Sequence, residues 1–117
     1  MAGESKPVGK DEVREFPKGK LEFATVGGTM IGRATFEPGW RWSESVKPAA
    51  GTDSCQTHHF GYCISGHMHV VMDDGQELDV GPGDALEIPP GHDAWVVGDD
   101  AYVGIDITGA ATFARSG

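Results

Sequence analysis

Gly81-Pro82-Gly83-Asp84-Ala85-Leu86-Glu87-Ile88-Pro89-Pro90-Gly91-His92-Asp93-Ala94-Trp95 is the stretch that decides how this chain reads. Two Gly/Pro turns enclose Ala85 to Ile88, a run too short for a helix and bounded as a strand is bounded. Upstream, Thr52-Asp53-Ser54-Cys55-Gln56-Thr57-His58-His59-Phe60-Gly61-Tyr62-Cys63-Ile64-Ser65-Gly66 brings a thiol and two imidazoles close together. Between the two segments, His67 to Val80 reads as a hairpin turning at Asp73-Asp74-Gly75.

The same texture extends outward. Leu21 to Val26 alternates, Gly27-Gly28 is a hairpin turn, and Met30 to Phe36 is the return strand, broken by Glu37-Pro38-Gly39. Trp40 and Trp42 share one face of an extended segment, and a loop is expected from Ser45 to Thr52. Ala94 to Val97 and Tyr102 to Ile107 read as a last strand pair joined by Gly98-Asp99-Asp100. No stretch sustains apolar spacing at i, i+3, i+4 and i+7 over three turns. Eight to ten short antiparallel strands with little or no helix are expected, arranged as a sandwich or closed barrel. Residues 1–12 have almost nothing to bury and are expected as a flexible arm. Residues 13–108 form the barrel and 109–117 a polar tail.

With 117 residues the chain is one domain, and 18 Gly and 7 Pro fit many turns. A net charge of −9 argues against nucleic-acid and membrane partners. Two Cys make no secreted disulfide framework, and Met1-Ala2-Gly3-Glu4-Ser5 has no apolar signal region. No apolar run approaches the roughly 20 residues of a membrane span. A cytoplasmic protein with reduced thiols is expected.

Pro38-Gly39, the later Gly66, Gly81-Pro82-Gly83-Asp84 and Ile88-Pro89-Pro90-Gly91 together resemble a small single-domain cupin over roughly residues 36 to 107. The resemblance implies an all-β fold, the double-stranded β-helix or jelly-roll barrel, with one lumenal pocket. It also implies a homodimer, to which a strand near Val13 to Phe16 could add an edge. Cupins usually carry His-x-His, three or four residues, Glu, six residues, Gly, and later Pro-x-Gly, two residues, His. In this chain the Glu place is His59, and the second His place is Cys55 or Ser54. The first is Asp53 or Thr52, and the last is Ala94, with His92 two residues earlier. The sequence departs from the usual ligand set at every position.

Strand alternation puts His59, Gly61 and Cys63 on one face, and His58, Phe60, Tyr62 and Ile64 on the other. If the first face lines the lumen, as the cupin alignment suggests, Cys55 and His59 converge and His92 reaches in from the mouth. Cys55, His59 and His92 are then the candidate ligands of a divalent metal. Cys with two His suits Zn, and also Fe or Ni, and leaves a coordination place open. Asp53 is a candidate fourth ligand, Asp93 a candidate partner for the His92 ring, and His58 a further candidate at the pocket. Four residues along a strand span roughly 13 Å, so Cys55 meets His59 only if a loop or bulge intervenes. The same condition governs a Cys55–His59 nucleophilic dyad.

The plainer reading of these residues stands beside this one. Buried Cys residues often only pack, and His58 and His59 can serve as hydrogen-bonding caps of a metal-free pocket. Trp40 and Trp42 either wall the pocket or pack between sheets. Phe60 and Tyr62 are expected in the core. His67 and His69 oppose Met68, Val70 and Met72 and are expected in solvent. Two functions remain open: a metal-dependent enzyme acting on a small polar molecule, and a binding or sensor module that holds a small-molecule ligand without turnover.

Overall fold

The computed structural model describes residues 3–107. Among them run nine strands: β1 (Glu12–Phe16), β2 (Gly19–Val26), β3 (Thr29–Phe36), β4 (His59–Ser65), β5 (His67–Met72), β6 (Glu77–Val80), β7 (Ala85–Ile88), β8 (His92–Val97) and β9 (Tyr102–Asp106). Two four-residue helices, α1 (Trp42–Ser45) and α2 (Lys47–Ala50), interrupt the strand order. The architecture is the all-β jelly roll expected from the sequence.

One sheet has six strands in the order β1-β2-β3-β9-β4-β7, and the other three in the order β6-β5-β8. Gly27 and Gly28, at φ 55° and 78°, supply the two left-handed residues of the tight β2–β3 turn. The β5–β6 hairpin closes over Asp73 to Gln76, where Met72 N donates to Gln76 O at 2.8 Å. Between the sheets lie Leu21, Phe23, Phe36, Trp40, Trp42, Val70 and Ile88, all buried.

Three expectations change. β8 and β9 are not partners: β8 pairs with β5, whereas β9 pairs with β3 and β4. The short Gly98 to Ala101 connection therefore crosses from one sheet to the other. The Trp40 to Thr52 region is neither a plain strand nor a plain loop. Arg41 makes a lone bridge with Trp95 and the chain then turns through α1 and α2. Phe60 and Tyr62 are not core residues; they are 53% and 48% exposed on the outer face of β4, with Ile64 beside them. Alternation decides this, because His59 and Cys63 already take the inward face.

The first strand begins at Glu12, and its partner is β2 of the same chain. Before it, Gly9 N donates to Phe23 O at 2.9 Å and Gly27 N to the Glu4 carboxylate at 2.7 Å. The expected tail, 109–117, lies outside the described residues.

Candidate metal centre in the barrel lumen

Cys55 is brought to the lumen by β8 rather than by β4. Its N–H donates to His92 O at 2.7 Å, and its carbonyl accepts from Gly91 N at 2.7 Å. This bridge fixes Cys55 beside the first residue of β8, and Gln56 to His58 then curl back to the start of β4. The intervening chain is a loop, so the 13 Å of an extended strand does not apply. Cys55 Sγ lies 3.7 Å from His59 Nε2. The ligand atoms of Cys55, His59 and His92 all lie within 4.8 Å of one another.

Each imidazole is held from behind. His59 Nδ1 lies 2.6 Å from Asp106 Oδ2, and both side chains are largely buried. Asp106 faces Gly61 across the β4–β9 ladder, so it is the diagonal neighbour of His59 on the inward face. Gly61 makes this approach possible, since a Cβ there would sit 1.8 Å from Ile105 O. His92 Nδ1 donates to Pro89 O at 2.8 Å. With both Nδ1 atoms engaged, Nε2 is the nitrogen that each ring has left for the thiol or for an ion. The two rings meet edge to face at 5.2 Å.

The donor set fits a metal ion. Zn–S near 2.3 Å and Zn–N near 2.0 Å at a tetrahedral angle put sulfur and nitrogen about 3.6 Å apart. The Cys55–His59 separation of 3.7 Å matches that span. A carboxylate and a backbone carbonyl on the far nitrogens are the usual supports of ligating imidazoles. Electrostatics agree with the geometry. Burial, the largest influence on Cys55, raises its thiol pKa, but hydrogen bonds from His59 and His92 outweigh it and bring the value down to about 6. Burial works against His59 too, yet Asp106 and then Cys55 raise its pKa to about 9. Each group thus favours the charged form of the other, the thiolate beside the imidazolium.

The other candidates fall elsewhere. His58 points outward to Glu87, Nε2 to Oε2 3.0 Å, as strand parity next to His59 requires. Asp53 is fully exposed, with Lys47 Nζ 3.8 Å away, and does not reach the cluster. Asp93 alternates away from His92; it accepts from Ser43 N at 3.1 Å and pairs with Arg41 at 3.3 Å. Trp40 and Trp42 do line the cavity, together with Leu21, Phe36, Met68 and Ala94. Cys63 is buried and hydrogen-bonds toward the Ser65 carbonyl at 3.5 Å. His69 is held outside by Asp79 and Glu77. The sequence reading missed Asp106. The available signal was parity on β9, where Tyr102, Gly104 and Asp106 share the inward face and the last is an acid.

The lumen is a cavity of about 50 Å³ with mostly apolar walls, which His59, His92, Asp106 and Tyr102 also line. Two facing antiparallel sheets around such a cavity, with a Cys/His cluster at one end, define a small jelly-roll barrel with a lumenal site. The chain belongs to the cupin family: the family model of the cupin domain matches residues 32–107. No curated protein matches the chain. Among solved structures, a Cupin 2 conserved barrel domain protein from Salinispora arenicola CNS-205 is similar at TM-score 0.63, with 15% identity, over 92% of this chain and 88% of its own. A protein of unknown function (DUF1255) from Acidithiobacillus ferrooxidans NCIB8455 is similar at TM-score 0.62 and 14% identity, over 89% and 92%. KdgF from Halomonas sp. is similar at TM-score 0.53 and 21% identity, over 80% and 83%. At such identities the likeness is one of fold.

Proposed function

We propose that this cupin holds a divalent metal, Zn, Fe or Ni, through Cys55, His59 and His92, and that a small molecule enters the lumen to meet it with a polar end. One observation carries the reading: three ligand atoms of suitable chemistry lie within 4.8 Å of one another. Three protein ligands leave a coordination place for water or substrate, and a bound ion would supply Lewis acidity there. The chain's own residues do the rest. Asp106 and the Pro89 carbonyl orient the two imidazoles. The apolar walls from Leu21, Phe36, Met68 and Ala94 exclude water and strengthen the electrostatics of the polar end. On this reading the protein is a metal-dependent enzyme acting on a small molecule.

A second reading draws on the 3.7 Å contact between Cys55 Sγ and His59 Nε2, which lets the two groups satisfy each other without an ion. The lumen is then a binding or sensor pocket without turnover. Cobalt separates the readings. Loading with Co²⁺ should give a thiolate-to-metal charge-transfer band that is lost in Cys55→Ser and weakened in His59→Ala and His92→Ala. A protein that gives no such band holds no metal through Cys55.

The same proposal includes a homodimer and a cytoplasmic setting. Phe60, Tyr62 and Ile64 form an exposed apolar strip on the outer face of β4, a surface of the kind that associates. Cys55 and Cys63 are both free thiols, in keeping with a reducing compartment. No helix among the described residues is long and apolar enough to cross a membrane.

A further inference from the structure

The thiol of the cluster is held differently from its imidazoles. His59 and His92 lie in strands, β4 and β8. Cys55 lies in none, and an isolated bridge with His92 ties it to β8. A side chain on an irregular stretch has more freedom than one in a ladder, so whatever fixes the flanks of Cys55 fixes its sulfur. Both flanks meet at one hydroxyl. Ser54, just before Cys55, is buried, and its Oγ donates to Asp73 Oδ2 at 2.8 Å. Gln56, just after Cys55, donates from Nε2 to the same Oγ at 3.0 Å.

Asp73 joins this arrangement to a second ligand. It begins the turn after β5, and its N–H donates to Gly91 O at 2.8 Å. Gly91 N in turn donates to Cys55 O at 2.7 Å, and the next residue is His92. The Asp73 carboxylate packs against the same glycine: a Cβ on Gly91, whose φ is 93°, would sit 2.9 Å from Asp73 Oδ2. Through its backbone and its carboxylate, one exposed residue therefore holds the two segments that deliver Cys55 and His92. A bond to an ionised acceptor is stronger than one between neutral groups, which makes the Ser54–Asp73 contact the strong member of the set.

We propose that Asp73, acting through the Ser54 hydroxyl, is a positioning residue: it holds the Cys55 thiol beside His59 and His92, and the affinity of the cluster for its ion depends on that hold. The dependence of the ion rests on the metal reading given above, whereas the hold on the thiol stands without it. The two imidazoles have supports of their own in Asp106 and the Pro89 carbonyl. Loss of the Ser54–Asp73 bond therefore frees the thiol and leaves the two rings in place.

The test uses the full chain with Ser54→Ala and Asp73→Ala, which remove the bond, and Ser54→Thr and Asp73→Asn, which keep a donor and an acceptor. Circular dichroism checks that each folds; should one alanine variant fail, the other carries the test. Zn²⁺ affinity, from competition with a chromogenic chelator, should fall about tenfold in the alanine pair, the yield of one hydrogen bond to a charged group, and stay within about threefold of wild type in the conservative pair. In Co²⁺-loaded protein the thiolate-to-metal band should weaken relative to the visible d–d bands in the alanine pair alone, because the sulfur leaves while the imidazoles stay. A merely structural loss would lower all bands together. Unchanged zinc affinity, or bands that fall together, overturns the role given to Asp73. If the wild type binds neither ion, the metal reading fails, and metal-free protein decides on the hold. There the Cys55 amide, bonded to His92 O, should exchange hydrogen at least about tenfold faster in the alanine pair, while the Cys63 amide, bonded to Asp84 O, keeps its rate. Equal Cys55 rates in variants and wild type would overturn the hold as well.

Discussion

Asp106→Asn isolates the support beneath the cluster. The Asp106 carboxylate lies 2.6 Å from His59 Nδ1, and the two side chains are only 14% and 13% exposed. A charge-assisted bond so shielded contributes roughly 1.5–3 kcal/mol, whereas the neutral amide that replaces it retains about 1 kcal/mol. Metal-free Asp106→Asn should therefore lose about 1–2 kcal/mol. At about 4–8 °C per kcal/mol for a domain of this size, its Tm should fall by roughly 5–15 °C. The loss should also depend on pH. Burial lowers the His59 pKa, but Asp106 and Cys55 together raise it from 6.5 to about 9. A folded value above the unfolded one gives stability that is fully present below pH 6.5 and lost as pH rises through about 9. Cys55 has the opposite slope, since its pKa drops from 9.0 to about 6 and its contribution is lost as pH falls through about 6. That slope is common to both proteins and largely cancels in their difference. Thermal denaturation of metal-free wild type and variant should thus show a gap widest below pH 6.5 and closing above about pH 9. A gap constant across that range, or no gap, would refute the reasoning.

Other outcomes follow from the same geometry. Gly61→Ala should cost more than about 3 kcal/mol, read as a lower urea midpoint, because its Cβ would lie 1.8 Å from the Ile105 carbonyl oxygen and β4 would have to part from β9. In metal-free protein near neutral pH, iodoacetamide should label Cys55 at least about tenfold faster than Cys63, whose thiol burial and Asp84 push up; peptide mass mapping reads the order, and Cys63 reacting first would contradict it. Light scattering after gel filtration should show a dimer that Tyr62→Glu converts to monomer, since Tyr62 sits mid-strip on the outer face of β4.

Much of the barrel was legible because its turns announce themselves. Gly27-Gly28 and Asp73-Asp74-Gly75 place two hairpins, and the Gly/Pro clusters bound Ala85 to Ile88. What misled was adjacency along the chain. Two strands joined by Gly98 to Ala101 look like a hairpin, yet whether a short link folds back or crosses sheets is set by packing. The helices α1 and α2 have one turn each, too few residues for a helical period to show. At the site, parity found the inward face of His59 and, from the opposite direction, sends His58 outward to Glu87. The same rule turns Asp93 away from His92 toward Arg41. The position of Cys55 depends on a bridge to His92, and the role of Asp106 on the β4–β9 register; both are long-range pairings.

The most direct test is the metal content of protein made without a polyhistidine tag, measured by elemental analysis after exhaustive desalting. The account predicts close to one Zn, Fe or Ni per chain in the wild type. It predicts almost none in Cys55→Ala, His59→Ala or His92→Ala, each still folded. A wild type free of metal after growth and refolding with all three ions supplied, or variants that retain a full complement, would contradict it.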